Sequence, residues 1–143
     1  MPQKSPQNHS KLTIYALSKL GQTTARIAEA ALAPLGLRPR EFSTLALIDE
    51  LGGAAQSDVA DGLGLDRSDM VTIVDKLEGL GLVARAPDAR DRRRHVVSTT
   101  PKGAALVIKG AAALTAADAE FLKRIPKSDR RKLSELLDAL AAD

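Results

Sequence analysis

The organisation of this chain is clearest in residues 64–99, which read GLDRSDMVTIVDKLEGLGLVARAPDARDRRRHVVST. The first part predicts a helix that Asp66 can cap, that runs to about Leu80 and that a glycine then ends. Two short strands are predicted at 82–85 and 95–99, because each is a short run bounded by turn or charged residues. The segment between them is polar and charged. The pattern therefore predicts a helix followed by a charged β-hairpin.

The predicted helix has an apolar face and a polar arc. Spacings of three and four residues place together Met70, Ile73, Val74, Leu77 and Leu80. The opposite arc carries Ser68, Asp69, Thr72, Asp75 and Lys76. Hydroxyl and ammonium groups bind phosphates or base edges, and a carboxylate can accept from cytosine. This arc, with Arg67 at the helix start, is a candidate DNA-recognition surface; for the helix alone, a solvated face is the alternative.

A shorter helix precedes the predicted recognition helix. Residues 56–63 carry Val59 and Leu63 on one side, and Gly64-Leu65 make a tight turn into the next helix. Helix, tight turn and helix in this order is the helix-turn-helix arrangement. Gln56 and Ser57, at the start of the first of these helices, are candidate contacts to DNA.

Positive charge is concentrated in the predicted hairpin. The chain has a formal net charge of +3, and residues 85–95 alone hold five arginines against two aspartates. Such a segment favours a phosphate-binding surface, and arginines at a hairpin tip can enter a narrow minor groove. We expect Asp88 and Asp91 to pair with some of these arginines and to hold the loop in shape. An exposed charge run without a partner is the alternative.

Longer helices flank this region on both sides. Ser10 could cap a helix to about Ala33, and a second opens at Arg38-Pro39. After the hairpin, Thr100 can cap a helix to about Arg124, and Pro126 separates it from a last helix. The fold class is mainly α with a small β-hairpin. The first and last helices present apolar faces suited to a homodimer, namely Ile14, Leu17, Leu133, Leu136, Leu137 and Leu140.

Composition excludes several classes of function. The 143 residues suffice for one compact domain, and the absence of cysteine excludes disulfides and thiolate metal sites. No apolar run is long enough for a membrane span, and Met1 to Ser10 lacks the core of a signal peptide, so we expect a cytoplasmic protein. His9 and His95 have no evident catalytic or metal-ligating partners. We therefore expect no enzyme, no cofactor and no metal.

Three sequence motifs resemble one known family. Leu80-Gly-Leu-Val-Ala-Arg85 is similar to a GLV-x-R motif, residues 88–93 match D-x-R-D-x-R, and Val97-Ser-Thr-Thr100 with Gly103 is similar to V-x-L-T-x-x-G. Together they resemble the multiple-antibiotic-resistance regulator (MarR) family. Thr99 stands where that family has Leu, and Ala86 where a second basic residue is common.

The resemblance implies a winged helix-turn-helix repressor that binds a near-palindromic double-stranded DNA operator as a homodimer. It divides the chain into residues 1–36 and 101–143 for dimerisation and residues 37–100 for DNA binding. The recognition role falls on Arg67, Ser68, Asp69, Thr72 and Lys76, and the wing role on Arg90, Arg92 and Arg93.

The resemblance also implies release by a small phenolic or aromatic-acid ligand, with Tyr15, Arg26 and Phe42 as candidate contacts. For Tyr15 and Phe42 a plain core role is the alternative. A ligand-independent DNA-binding protein and an α-helical protein-interaction module remain the alternative functions.

Overall fold

The computed structural model describes residues 11–142, which form six α-helices, a short 3-10 helix (Ala33–Leu35) and a small three-stranded sheet. The helices are α1 (Thr13–Leu32), α2 (Pro39–Glu50), α3 (Gln56–Leu63), α4 (Arg67–Gly79), α5 (Pro101–Leu122) and α6 (Lys127–Ala141). The strands are β1 (Ala54–Ala55), β2 (Val83–Pro87) and β3 (His95–Thr99). The predicted fold class, mainly α with a β-hairpin, is confirmed. The proposed capping residue Ser10 and His9 lie outside the described residues.

Two helices, α4 and α5, begin at the capping residues that the sequence predicted. The Asp66 carboxylate accepts a hydrogen bond from the Ser68 amide at 3.1 Å, and Thr100 Oγ1 accepts one from the Gly103 amide at 3.1 Å. The predicted C-terminal ends were one or two residues too long. α4 ends at Gly79, and α5 ends at Leu122 because the chain tightens into short-range turns before Pro126.

The sheet is antiparallel with the strand order β1-β3-β2. Strand β1 was not predicted, since two alanines carry no strand pattern, and β2 continues to Pro87, two residues beyond the predicted end. Ala54 pairs with Val97, which fixes the start of α3 beside the hairpin. Thr99 donates a hydrogen bond to the Asp49 carboxylate at 2.8 Å, so the hydroxyl at this position ties β3 to the end of α2.

The core lies between α2, α3, α4 and the sheet. Its fully buried members, all less than 2% exposed, include Leu45, Ile48, Val59, Val74, Leu77 and Val97. The predicted apolar face of α4 is correct for Met70, Val74 and Leu77, whereas Leu80 is 41% exposed beyond the helix end. This core holds α3, α4 and the hairpin in fixed relative positions.

The outer helices contribute little to that core. Leu32 is the only buried residue of α1, Gly103 and Gly110 are the only buried residues of α5, and α6 has none. Nine large apolar residues are exposed between Leu12 and Leu20, at Ile108 and between Leu136 and Leu140. In the single chain these faces are therefore uncovered.

Two glycines let α5 approach the core closely. A Cβ atom added at Gly103 would lie 2.0 Å from the Leu82 carbonyl oxygen, and one added at Gly110 would lie 2.1 Å from the Phe42 ring. The clash at Gly103 involves backbone, which cannot swing away. The attachment of α5 to the core formed by α2, α3, α4 and the sheet therefore requires glycine at this position.

We predict that Gly103→Ala lowers the free energy of unfolding by about 2 kcal/mol or more, because the added methyl forces α5 away from Leu82. Gly79→Ala is the matched control, since an added Cβ there meets no heavy atom within 4 Å and a helical glycine is replaced. The control should change stability by only about 0.5–1 kcal/mol in the stabilising direction. Denaturant unfolding at one fixed protein concentration measures both; equal stability of Gly103→Ala and wild type would contradict the close approach.

Candidate nucleic-acid interface

Helix α4 has one face toward the core and another toward solvent. Met70, Val74 and Leu77 face the core, and the arc opposite them carries the exposed residues Ser68 and Thr72. Thr72 Oγ1 donates to the Ser68 carbonyl oxygen at 3.2 Å, which leaves its oxygen free to accept another bond. Both hydroxyls are on the exposed surface of α4, and their role in DNA recognition stays a prediction.

Val71 was missed by the sequence reasoning, which assigned it to neither face. Its side chain is 45% exposed and lies beside Arg67 on the side of α4 that meets α3. An exposed valine between polar neighbours can contact a thymine methyl group. The sequence itself indicates that Val71 is exposed, because a helical wheel places it outside the Met70-Val74-Leu77 stripe.

Lys76 has an ion-pair partner on α2 that the sequence did not predict. Its ammonium lies 2.8 Å from both carboxylate oxygens of Glu41 on α2, and only 10% of the Glu41 side chain is exposed. Asp69 also faces α2, where its carboxylate lies 3.9 Å from the Arg40 guanidinium. The Lys76 and Asp69 side chains nevertheless remain 42% and 57% exposed, and Asp69 lines the same groove as Thr72, so a DNA contact by either residue stays a prediction.

Arg85 is occupied within the lobe rather than free to bind DNA. Its guanidinium lies 2.6 Å from the Asp75 carboxylate and 3.2 Å from that of Glu78, both on α4. Its Nε donates to the side-chain oxygen of Gln56 at 3.2 Å, and the side chain is 19% exposed. This arginine joins β2 to α3 and α4, so it cannot be counted in the free charge of the hairpin. Gln56 likewise has a partner inside the protein.

The hairpin tip is shaped by its aspartates through backbone contacts. Asp88 accepts a hydrogen bond from the Arg90 amide at 2.9 Å, and Asp91 accepts one from the Arg93 amide at 3.1 Å. The expected pairing with guanidinium groups is wrong, because these carboxylates close local turns instead. The side chains of Arg90, Arg92 and Arg93 are exposed and have no ion pair within residues 11–142.

Arg94 connects the hairpin to α3. Its guanidinium lies 3.3 Å from the Ser57 hydroxyl and 3.3 Å from the Asp58 carboxylate, with both side chains of the ion pair about half exposed. Because this pair is solvent-accessible, it contributes little to stability and can exchange partners. Ser57 was predicted as a DNA contact and here accepts from Arg94.

A polar groove of about 550 Å³ opens between the hairpin base and the start of α3. Its lining includes four basic or titratable side chains, Arg67, Arg93, Arg94 and His95, beside Ser57 and two carboxylates. Hydroxyl, guanidinium and amide donors at a helix start suit a phosphate oxygen. The groove joins the exposed arc of α4 to the hairpin tip.

A second groove, of about 440 Å³, lies between α1, α2 and α4. Its lining residues are Ala25, Glu29, Arg38, Pro39, Arg40, Glu41, Asp69, Thr72 and Ile73. None of the predicted ligand contacts is among them. The Phe42 ring is buried against Gly110, Tyr15 is 51% exposed on α1, and Arg26 is exposed on the same helix. Sequence reasoning chose these residues by size and charge and could not see which helix faces meet.

The described residues contain neither a candidate metal cluster nor a helix suited to a membrane. No group of three or more acidic, histidine or cysteine side chains within residues 11–142 is arranged to hold a metal ion. None of the helices in that range has the length and apolar character needed to cross a membrane.

Comparison with known proteins agrees with the geometry. The model of the MarR family matches residues 35–94. The HTH-type transcriptional repressor Rv2887 of Mycobacterium tuberculosis is 31% identical over 129 residues, which cover 90% of this chain and 93% of the relative. The chain belongs to the MarR family. The predicted resemblance is confirmed, and the MarR wing corresponds to β2, β3 and the hairpin between them.

Two solved MarR-type repressors match nearly the whole chain. CouR of Rhodococcus jostii RHA1 bound to a 23-mer DNA duplex superposes with a TM-score of 0.88 at 29% identity, over 96% of this chain and 98% of CouR. CouR bound to p-coumaroyl-CoA gives a TM-score of 0.80 at 32% identity, over 94% and 95%. Rv2887 in complex with p-aminosalicylic acid gives 0.76 at 29% identity, over 92% and 99%.

Proposed function

We propose that this MarR-family chain is a bacterial, cytoplasmic transcriptional repressor that binds a near-palindromic DNA operator as a homodimer. The observation that carries the proposal is the wing. Three arginines, Arg90, Arg92 and Arg93, are exposed at its tip, and Arg85 fixes its base to the recognition helix. A cationic tip held at a set distance from an exposed helix face can contact the minor and major grooves of one duplex together.

The contacts of each protomer divide by chemistry. We assign the base-edge contacts in the major groove to Ser68, Val71 and Thr72 on α4, because their side chains are exposed. Arg67 and Arg94, which line the polar groove, bind phosphates, because Arg94 can exchange Asp58 for a phosphate oxygen. Arg90, Arg92 and Arg93 enter the flanking minor groove. Asp69, Gln56 and Ser57 act by holding neighbouring side chains.

The homodimer is proposed from the uncovered outer helices. Three helices hold only three buried residues, and exposed leucines recur along α6. Apolar faces of this extent favour burial against a second copy. We assign residues 1–36 and 101–143 to dimerisation, through Ile14, Leu17, Leu133, Leu136, Leu137 and Leu140, and residues 37–100 to DNA binding. Two copies would present two recognition helices to successive major grooves.

The wing role predicts a change in salt dependence. Arg92→Gln should reduce the slope of log K against log salt by about two per dimer, because each protomer loses one phosphate-neutralising charge. Fluorescence anisotropy with DNA from upstream of the protein's own gene measures the slope. Arg131→Gln on α6 is the matched control, since its side chain is 91% exposed and remote from the wing. An unchanged slope for Arg92→Gln would contradict the wing contact.

The proposed dimer predicts that a charged residue on the apolar face of α6 weakens binding to operator DNA. Leu137→Asp should halve the mass seen by light scattering at micromolar concentration and weaken operator affinity by about 100-fold or more, because two linked half-sites become independent. Leu51→Asp is the control, since Leu51 is 52% exposed at the end of α2 and off the outer faces. A monomeric wild type, or no DNA binding by a stable dimer, would favour the protein-interaction alternative.

Response to a small aromatic acid is proposed for the groove between α1, α2 and α4. Arg38 and Arg40 at its wall can pair with a carboxylate, and the groove touches the recognition helix at Thr72 and Ile73. The solved complex of Rv2887 with p-aminosalicylic acid supports a ligand of this class, whereas the p-coumaroyl-CoA bound by CouR is a phenolic thioester without a free aromatic carboxylate. A ligand-independent repressor is the alternative.

We predict that p-aminosalicylic acid raises the melting temperature and weakens operator binding, whereas its neutral carboxamide does neither. Arg40→Gln should reduce the response to the acid, because the variant lacks one guanidinium partner for the carboxylate. Thermal-shift and anisotropy titrations provide the two readouts. A flat response to the acid and to a panel of aromatic acids would favour the ligand-independent alternative.

A further inference from the structure

We propose that Lys76 is a positioning residue, which fastens the recognition helix to α2 through Glu41 and makes no contact with DNA. The inference rests on the proposed DNA-binding function and goes beyond it, because the position of Lys76 on α4 would otherwise assign it to base or phosphate contacts. The observation is a short, two-oxygen ion pair between elements 35 residues apart in sequence.

Both oxygens of the Glu41 carboxylate accept hydrogen bonds within the protein. Lys76 Nζ lies 2.8 Å from each of its oxygens, and the backbone amide of Arg38 donates to Oε2 at 2.8 Å. Glu41 lies in the first turn of α2, whose following residues Leu45 and Ile48 are part of the core. The carboxylate is therefore a fixed anchor rather than a flexible surface group.

The Lys76–Glu41 ion pair also controls the direction in which Ser68 and Thr72 of α4 face. Lys76 lies one helical turn after Thr72 and two after Ser68, so a tether at Lys76 restricts rotation of the helix about its axis. Rotation by a few tens of degrees would carry both hydroxyls away from the base edges that they face. Contacts made at specific bases depend on this angle far more than attraction to phosphates does.

Charge balance argues against a phosphate contact by Lys76. The ammonium is already neutralised by a carboxylate that has only 10% of its side chain exposed. To reach a phosphate, Lys76 would leave Glu41 as a buried charge with one remaining donor, which is a costly state. The wing arginines, which have no such partner, release counterions at no comparable cost.

The two roles make opposite predictions for Glu41→Gln. If Lys76 positions the helix, weakening the pair lowers operator affinity by about tenfold, leaves affinity for unrelated DNA unchanged or raised, and so reduces the ratio of specific to nonspecific binding. If Lys76 contacts a phosphate, releasing it raises affinity for both DNAs and steepens the salt dependence. Anisotropy titrations of the dimeric protein against operator and scrambled duplexes over a salt series distinguish these results.

Variants of Lys76 complete the test. Lys76→Met should lower operator affinity with an unchanged salt slope, and Lys76→Arg should restore most of the affinity because the cation is retained. The double variant Glu41→Gln/Lys76→Met removes the buried charge that Lys76→Met alone leaves on Glu41, and its loss should be smaller than the sum of the two single losses. Circular dichroism at the assay temperature confirms that each variant is folded.

The outcomes separate this inference from the proposed function. A salt slope reduced by about two per dimer in Lys76→Met, or additive losses in the double variant, would overturn the positioning role while leaving operator binding intact. A fall in melting temperature with the ratio of specific to nonspecific binding unchanged would also overturn it, since the pair would then only stabilise the fold. Failure of the wild type to bind any DNA would instead reject the proposed function.

Discussion

The guanidinium of Arg85 joins the three parts of the DNA-binding lobe that must keep a fixed geometry. It contacts Asp75 and Glu78 on the recognition helix and Gln56 at the start of α3, while its own backbone belongs to the wing. A lysine could not make these contacts together, because only a planar guanidinium offers several donors in fixed directions. The Arg85 side chain is only 19% exposed, whereas Asp75 and Glu78 are 59% and 44% exposed, so each ion pair alone contributes little and the wing is held by the contacts acting together.

A second ion pair restrains the same helix from the other side. Lys76 contacts Glu41 on α2, whereas Asp75 contacts Arg85 on the wing, so successive residues of α4 face opposite neighbours. The charged residues in the C-terminal half of this helix are thus used within the protein. The N-terminal half, with Arg67, Ser68 and Val71, remains open beside the polar groove. Glu41 also lines the groove proposed for a ligand, which places that groove against the anchor of the recognition helix.

Much of this architecture could be predicted from sequence because local signals decide it. Asp66 and Thr100 cap their helices as expected, and the basic hairpin lies between two strands near the expected positions. The partners of charged side chains could not be predicted, since Glu41 and Lys76 are brought together only by the packing of α2 against α4. Sequence reasoning therefore counted Arg85 and Lys76 as available to DNA, and it assigned Asp88 and Asp91 to side-chain pairs where backbone turns are found.

The uncovered faces of α1, α5 and α6 form the proposed dimer interface, which sets the distance between the two copies of the DNA-binding segment, residues 37–100. That distance is the central claim. Footprinting on the DNA flanking the protein's own gene, with dimethyl sulfate for the major groove and hydroxyl radicals for the minor groove, tests it most directly. The account predicts two protected major-groove segments related by a two-fold axis, about 10 base pairs apart or a multiple of that, with minor-groove protection on their outer sides. A single protected half-site, or two segments without symmetry, would contradict it.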